Sequence, residues 1–100
     1  MNHPNTYEAF RETLGKANPP DQWSDALQSL WYDAKGNWEA SHNIAQDIPN
    51  ATGHWIHAYL HRKEGDEWNA GYWYRQAGRP FPTTGLEEEH RIIVQWLLKN

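Results

Sequence analysis

Six times along this chain apolar residues recur at spacings of three and four, and five of those runs stop at a glycine or a proline. A helix turns once every 3.6 residues, so that spacing lines one face, whereas a half-buried strand needs alternation with period two. No segment alternates for long enough to suggest a strand, and the few β-branched residues fall inside the helical blocks. The pattern predicts an all-α fold: a compact bundle of about six helices, with connections short enough to pack neighbours antiparallel. One hundred residues make a single domain over 1–100, and residues 1–5 are expected to be disordered.

The punctuation places each block. Thr6 caps the first, which sets Tyr7, Phe10 and Leu14 on one face and stops at Gly15. Pro19-Pro20-Asp21 opens the second, whose stripe is Trp23, Leu27, Leu30, Trp31 and Ala34 and whose end is Gly36-Asn37. The third covers 38–48 with Ala40, Ile44 and Ile48, and turns at Pro49-Asn50. The fourth, over 52–64, carries Trp55, Ile56, Ala58, Tyr59 and Leu60, and Gly65-Asp66 closes it and caps the next. The fifth holds Ala70, Trp73, Tyr74 and Ala77 and ends at Gly78-Arg79-Pro80. Thr84 with Glu87 reads as a capping box for the sixth, and Glu87-Glu88-Glu89 as an acidic first turn that suits the helix dipole.

Rings supply much of the core. Fourteen residues are aromatic, seven of them Trp, and each buried ring removes about 150–250 Å² from water. A few rings can therefore hold together a chain whose mean hydropathy is −1.01. The absence of cysteine excludes disulfides and thiolate chemistry. A net charge of −4 argues against a phosphate-binding surface, because nucleic-acid affinity rests on cationic neutralisation. The basic run His61-Arg62-Lys63 is itself flanked by Glu64 and Asp66. No stretch is apolar enough to span a membrane, and the first residues carry no apolar leader core, so a cytoplasmic protein is expected.

Two stretches echo one another: Leu30-Trp31…Gly36-Asn37-Trp38-Glu39-Ala40 and Tyr59-Leu60…Gly65-Asp66-Glu67-Trp68-Asn69-Ala70. With Ala40 set against Ala70, the earlier copy is one residue shorter across its turn. The second copy resembles the tetratricopeptide repeat and its Sel1-like relatives. Ala58, Gly65, Asp66, Ala70, Tyr74, Ala77 and Pro82 stand where that resemblance implies a small residue, a turn, a lined second helix and a closing proline. The resemblance implies antiparallel helix hairpins and a binding role. It departs at Trp55, which is displaced, and at His57 and His61, which replace the expected Leu and Tyr. At most two repeats are present, too few for a solenoid. The stretch from His42 to Pro82 also resembles a group of small uncharacterised bacterial proteins, which supplies no function to carry over.

Candidate chemistry gathers on histidine. At 100° per residue, His54, His57, His61 and Glu64 of the fourth helix fall within an arc of about 80°. His57 and His61 are four apart, the spacing at which one helix face offers two imidazoles to a metal such as zinc. His42 and Gln46 of the preceding helix, also four apart, would face them in an antiparallel hairpin. Three readings stand: a solvated polar face, a metal site, or a metal-free pocket in which His42, His57 or His61 binds an anion or transfers a proton. Against the metal stands the missing Glu of the zinc-protease pattern, since Ala58 follows His57.

His90 falls mid-face among Leu86, Ile93 and Leu97, as a satisfied core histidine or as a third-helix contributor to the same pocket. Tyr72, Trp73, Arg75 and Arg79 combine rings with guanidinium groups, a composition typical of interfaces. Their structural reading packs Ala70, Trp73 and Ala77 inward and ties Arg75 to an acidic neighbour. The expected function is a small helical binding module with no cofactor. Its partner would be a protein or a small anionic ligand, and it would be a monomer or homodimer. The alternative is a small enzyme or metal-binding protein centred on His42, His57 and His61.

Overall fold

Five of the six α-helices begin where a short polar side chain accepts a backbone N–H, which satisfies one of the donors a helix start leaves open. The computed structural model describes residues 4–100. In it, Thr6 caps α1 (Tyr7–Glu12), Ser24 caps α2 (Asp25–Ala34) and Asn37 caps α3 (Trp38–Ala45). Asn50 caps α4 (Ala51–Lys63) and Asp66 caps α5 (Glu67–Ala77). A short 3₁₀ turn, Thr13–Gly15, follows α1. The sixth helix, α6 (Leu86–Lys99), starts after Gly85 without a side-chain cap. The described residues hold no strand, so the fold is all-α. The expected disorder of residues 1–5 lies, for 1–3, outside the described residues.

Three local expectations are corrected. Pro19-Pro20-Asp21 does not open α2: the helix starts at Asp25 under Ser24, and Trp23 is buried in the turn before it. The third helix stops at Ala45, leaving Ile48 in the connection. The capping box at Thr84 does not form. Gly85 occupies the cap position, and the Thr84 carbonyl accepts a hydrogen bond from Arg62 Nη2 instead.

The internal echo proves more regular in space than in letters. Gly36 and Gly65 both take the left-handed conformation, with φ of 86° and 89°, which suits glycine because it carries no Cβ. The next amide then reaches back identically, Asn37 N–H to Tyr32 O and Asp66 N–H to His61 O, each at 2.9 Å. The two turns thus have equal length, and Ser41 rather than Ala40 is the counterpart of Ala70. Ser41 and Ala70 are both fully buried, as are Ser29 and Ala58 twelve residues earlier. Small residues at these positions let the paired helices approach closely. In the first pair Ser29 Oγ donates to Ser41 O at 2.8 Å.

Helix α2 packs along α3 and α4 along α5, while α6 lies against α1, α2 and α4. The core between them is Phe10, Leu27, Leu30, Trp31, Ile56, Leu60, Ile93 and Val94. A Cα radius of gyration of 12.6 Å matches the roughly 13 Å of a single hundred-residue unit.

A candidate three-histidine metal centre

The polar arc of α4 does not point to open water. Helix α3 crosses it and brings His42 against it, so that His42 Nε2 lies 3.0 Å from His57 Nε2. The His61 ring centres 4.8 Å from that of His57 and 5.3 Å from that of His42. One ligand nitrogen from each of the three lies within 4.8 Å of the other two.

Aromatic walls enclose the cluster. Trp38 stacks on His42 with centroids 4.8 Å apart, held by its indole N–H donating to Leu60 O at 2.9 Å. From the other side Trp73 of α5 stacks on His57 at 4.3 Å and meets His54 at 5.2 Å. Solvent reaches only 8% of His57.

The electrostatics favour the neutral form of His57 and His42. His57 is pushed down to about 4, first by burial and then by His42, His61 and His54. His42 is lowered by burial and His61, with Glu64 opposing. Neutral imidazole is the ligating form, so a metal would displace few protons at pH 7. Glu64 Oε1 lies 2.8 Å from His61 Nδ1. A carboxylate only accepts, so Nδ1 donates, and the neutral tautomer so oriented offers its Nε2 lone pair to an ion, the carboxylate–histidine arrangement common behind metal ligands.

The donor set fits a metal such as zinc. Zinc–imidazole bonds of about 2.0–2.1 Å put two tetrahedral ligands about 3.3 Å apart, close to the 3.0 Å between His42 and His57. Bringing His61 in needs movement on the order of 1 Å. Glu64 and Asp66 also lie near His61, but Asp66 is engaged in capping Asn69.

The other candidates fall elsewhere. Gln46 is exposed at the C-cap of α3. His90 is buried in a separate network: its Nε2 donates to Leu30 O at 3.1 Å, so its Nδ1 accepts from Tyr7 OH at 3.0 Å. Burial lowers its pKa against the opposing pull of the Leu30 carbonyl and Asp33. Trp73 joins the histidine cluster, whereas Tyr72 is exposed beside it. Arg75 is exposed, and no acidic neighbour pairs with it among the described residues. Arg79 lies over Trp55.

Two buried carboxylates carry no sequence mark that sets them apart. Asp33 accepts from Tyr59 OH at 2.7 Å and Lys63 Nζ at 2.8 Å, and burial followed by Asp33 raises the Tyr59 pKa. Glu89, read as part of an acidic first turn suited to the helix dipole, is 2% exposed. It accepts from Arg62 at 2.7 Å, Tyr74 OH at 2.6 Å and the Trp55 indole at 3.3 Å. The only available signal was its position, three residues past Leu86 and four before Ile93, on the edge of the apolar face.

Comparison with protein-family models, curated proteins and solved structures finds no match to this chain. The described residues contain no helix long and apolar enough to cross a membrane.

Proposed function

We propose that this chain is a transition-metal-binding protein, with one ion held between α3 and α4 by His42, His57 and His61. The observation that carries this reading is the convergence of three imidazoles, one of them already oriented by a carboxylate. Imidazole suits zinc, copper and nickel, and zinc agrees with a tetrahedral spacing. Three protein ligands leave a fourth position for water or a substrate, as in catalytic rather than closed structural sites. A metal there acidifies bound water and polarises carbonyl or phosphoryl oxygens. His57→Gln and His61→Gln should retain helical circular dichroism while losing metal. Protein made without a histidine tag should hold about one equivalent of Zn²⁺ or Co²⁺ after reconstitution. Less than about a tenth of an equivalent would sink the reading.

A second reading, a helical binding module with tetratricopeptide-like hairpins, is favoured by the ring pair Trp68 and Tyr72. They stand one turn apart on α5 and are 80% and 41% exposed. The matched turns at Gly36 and Gly65 support the repeat resemblance. Its partner would be a cytoplasmic protein, with the chain a monomer or homodimer. Trp68→Ser should then reduce partner capture or dimerisation, with light scattering as the readout for the latter. A monomer that captures no partner before or after the change counts against it.

A further inference from the structure

Gly78, at φ 73°, ends α5 in the left-handed conformation, and the chain then turns so that Arg79 crosses back over α4. Its guanidinium carbon lies 3.4 Å from the Trp55 ring centroid and 5.5 Å from that of Trp96. At such separation the planar cation lies on the indole face, and its N–H bonds point outward in its own plane.

Among the described residues nothing takes those donors. No carboxylate or carbonyl of theirs accepts from the Arg79 side chain, whereas Arg62, Lys63 and Arg91 hold Glu89, Asp33 and Glu88. The ring contacts also shield the cation from water, and burial pushes its pKa down. A half-buried cation with no partner is at an energetic disadvantage that a bound anion relieves.

The space beside it is apolar. A groove of about 380 Å³ runs between Trp55 and residues 80–84, and includes Phe81, Pro82 and Ile92. Phe81 and Ile92 are two of the four large apolar side chains left exposed among the described residues. Glu89 also borders the groove, but its charge is matched by Arg62 and its oxygens are engaged by Tyr74 and Trp55. The volume lies near the lower end of ligand sites, about 300–1,000 Å³.

We infer that this groove binds a small organic monocarboxylate, its carboxylate forked onto Arg79 and its apolar body against Trp55, Phe81 and Ile92. Inorganic phosphate would leave the apolar walls unused, and a neutral apolar molecule would leave the guanidinium unpaired. The site shares no residue with the three-histidine cluster, so either can stand if the other fails.

The test is an NMR titration of ¹⁵N-labelled full chain with 4-phenylbutyrate and, in parallel, with 4-phenylbutyramide. The Trp55 indole N–H and Arg79 Nε–H signals should move saturably with the acid, which should bind at least about tenfold more tightly than the amide. Arg79→Lys keeps a cation over Trp55 but loses the fork, and should weaken the acid by about three- to tenfold. Arg79→Gln should abolish the preference for acid over amide. No saturable shift up to about 10 mM, equal binding of acid and amide, or undiminished binding by Arg79→Lys overturns the inference. Should Arg79→Gln lower the melting temperature, the acid–amide comparison on the unaltered chain still decides.

Discussion

Acid should weaken the metal-free fold chiefly through His57. In the unfolded chain this imidazole takes up its proton near pH 6.5, but in the folded protein it resists until about pH 4. A depressed histidine pKa means that the unfolded state binds more protons between those values. Stability is therefore fully present above pH 6.5 and is lost as the pH falls toward 4. One proton costs about 1.4 kcal/mol per pH unit, so the window amounts to roughly 3 kcal/mol, or about 2 once solvent screening at the edge of the cluster is allowed for. That is a large part of the 5–15 kcal/mol typical of a domain. The assay is urea unfolding at pH 8, 7, 6, 5 and 4.5 in chelator, on the unaltered chain and on His57→Gln. Carboxylates and the similarly lowered His90 titrate in both proteins, so the difference between the two curves isolates His57 and its coupling to His42. The unaltered chain should lose about 2 kcal/mol more than the variant from pH 7 to 4.5. Parallel curves would refute the reasoning.

Removing the carboxylate behind His61, by Glu64→Gln, should weaken Zn²⁺ binding about 10- to 100-fold in calorimetric titration. Unfolding free energy should barely change, because Glu64 is 41% exposed at its side chain. Glu89→Ala strands Arg62, Tyr74 and Trp55 and should cost about 3–5 kcal/mol by urea unfolding; a loss under about 1 kcal/mol would show the network to be dispensable. Gly53→Ala places a methyl 2.2 Å from Ile48 O and 2.6 Å from Ile48 Cβ. Against a helix-propensity gain of about 1 kcal/mol, a net loss of about 1–3 kcal/mol is expected, and a stabilised variant would contradict the close approach.

What the sequence made legible was local. Caps, breakers and three-four periodicity are written within a few residues of one another, so helices α3, α4 and α5 begin within a residue of where the letters put them. The failures were tertiary overrides. Ser24 wins the cap from Asp21 because Trp23 must turn inward to stack on Phe10, 5.6 Å away. Glu89 does more than complement the helix dipole because Arg62 arrives from α4, twenty-seven residues earlier in the chain. His57 and His61 were legible as one helix face, but their meeting with His42 depends on how α3 crosses α4. His90 showed the limit of that reasoning: its helical face was right, yet Leu30 and Tyr7 claim both of its nitrogens.

The position of the histidines explains why an ion would matter here. The chain's two extensive helix pairs are α2 with α3 and α4 with α5, and α3 meets α4 along a smaller seam. Within each pair, buried small residues such as Ser29, Ser41, Ala58 and Ala70 bring the helices together. At this seam the facing groups are instead imidazoles, joined by a single 3.0 Å contact and desolvated between Trp38 and Trp73. Hydrophobic residues of similar size would seal such a seam more simply, since burying polar rings carries a desolvation penalty that one hydrogen bond scarcely offsets. Three imidazoles this close together, one of them buried, are thus poorly explained as packing. A metal ion, as proposed, would satisfy their lone pairs together and join α3 to α4, turning this seam into a cross-link.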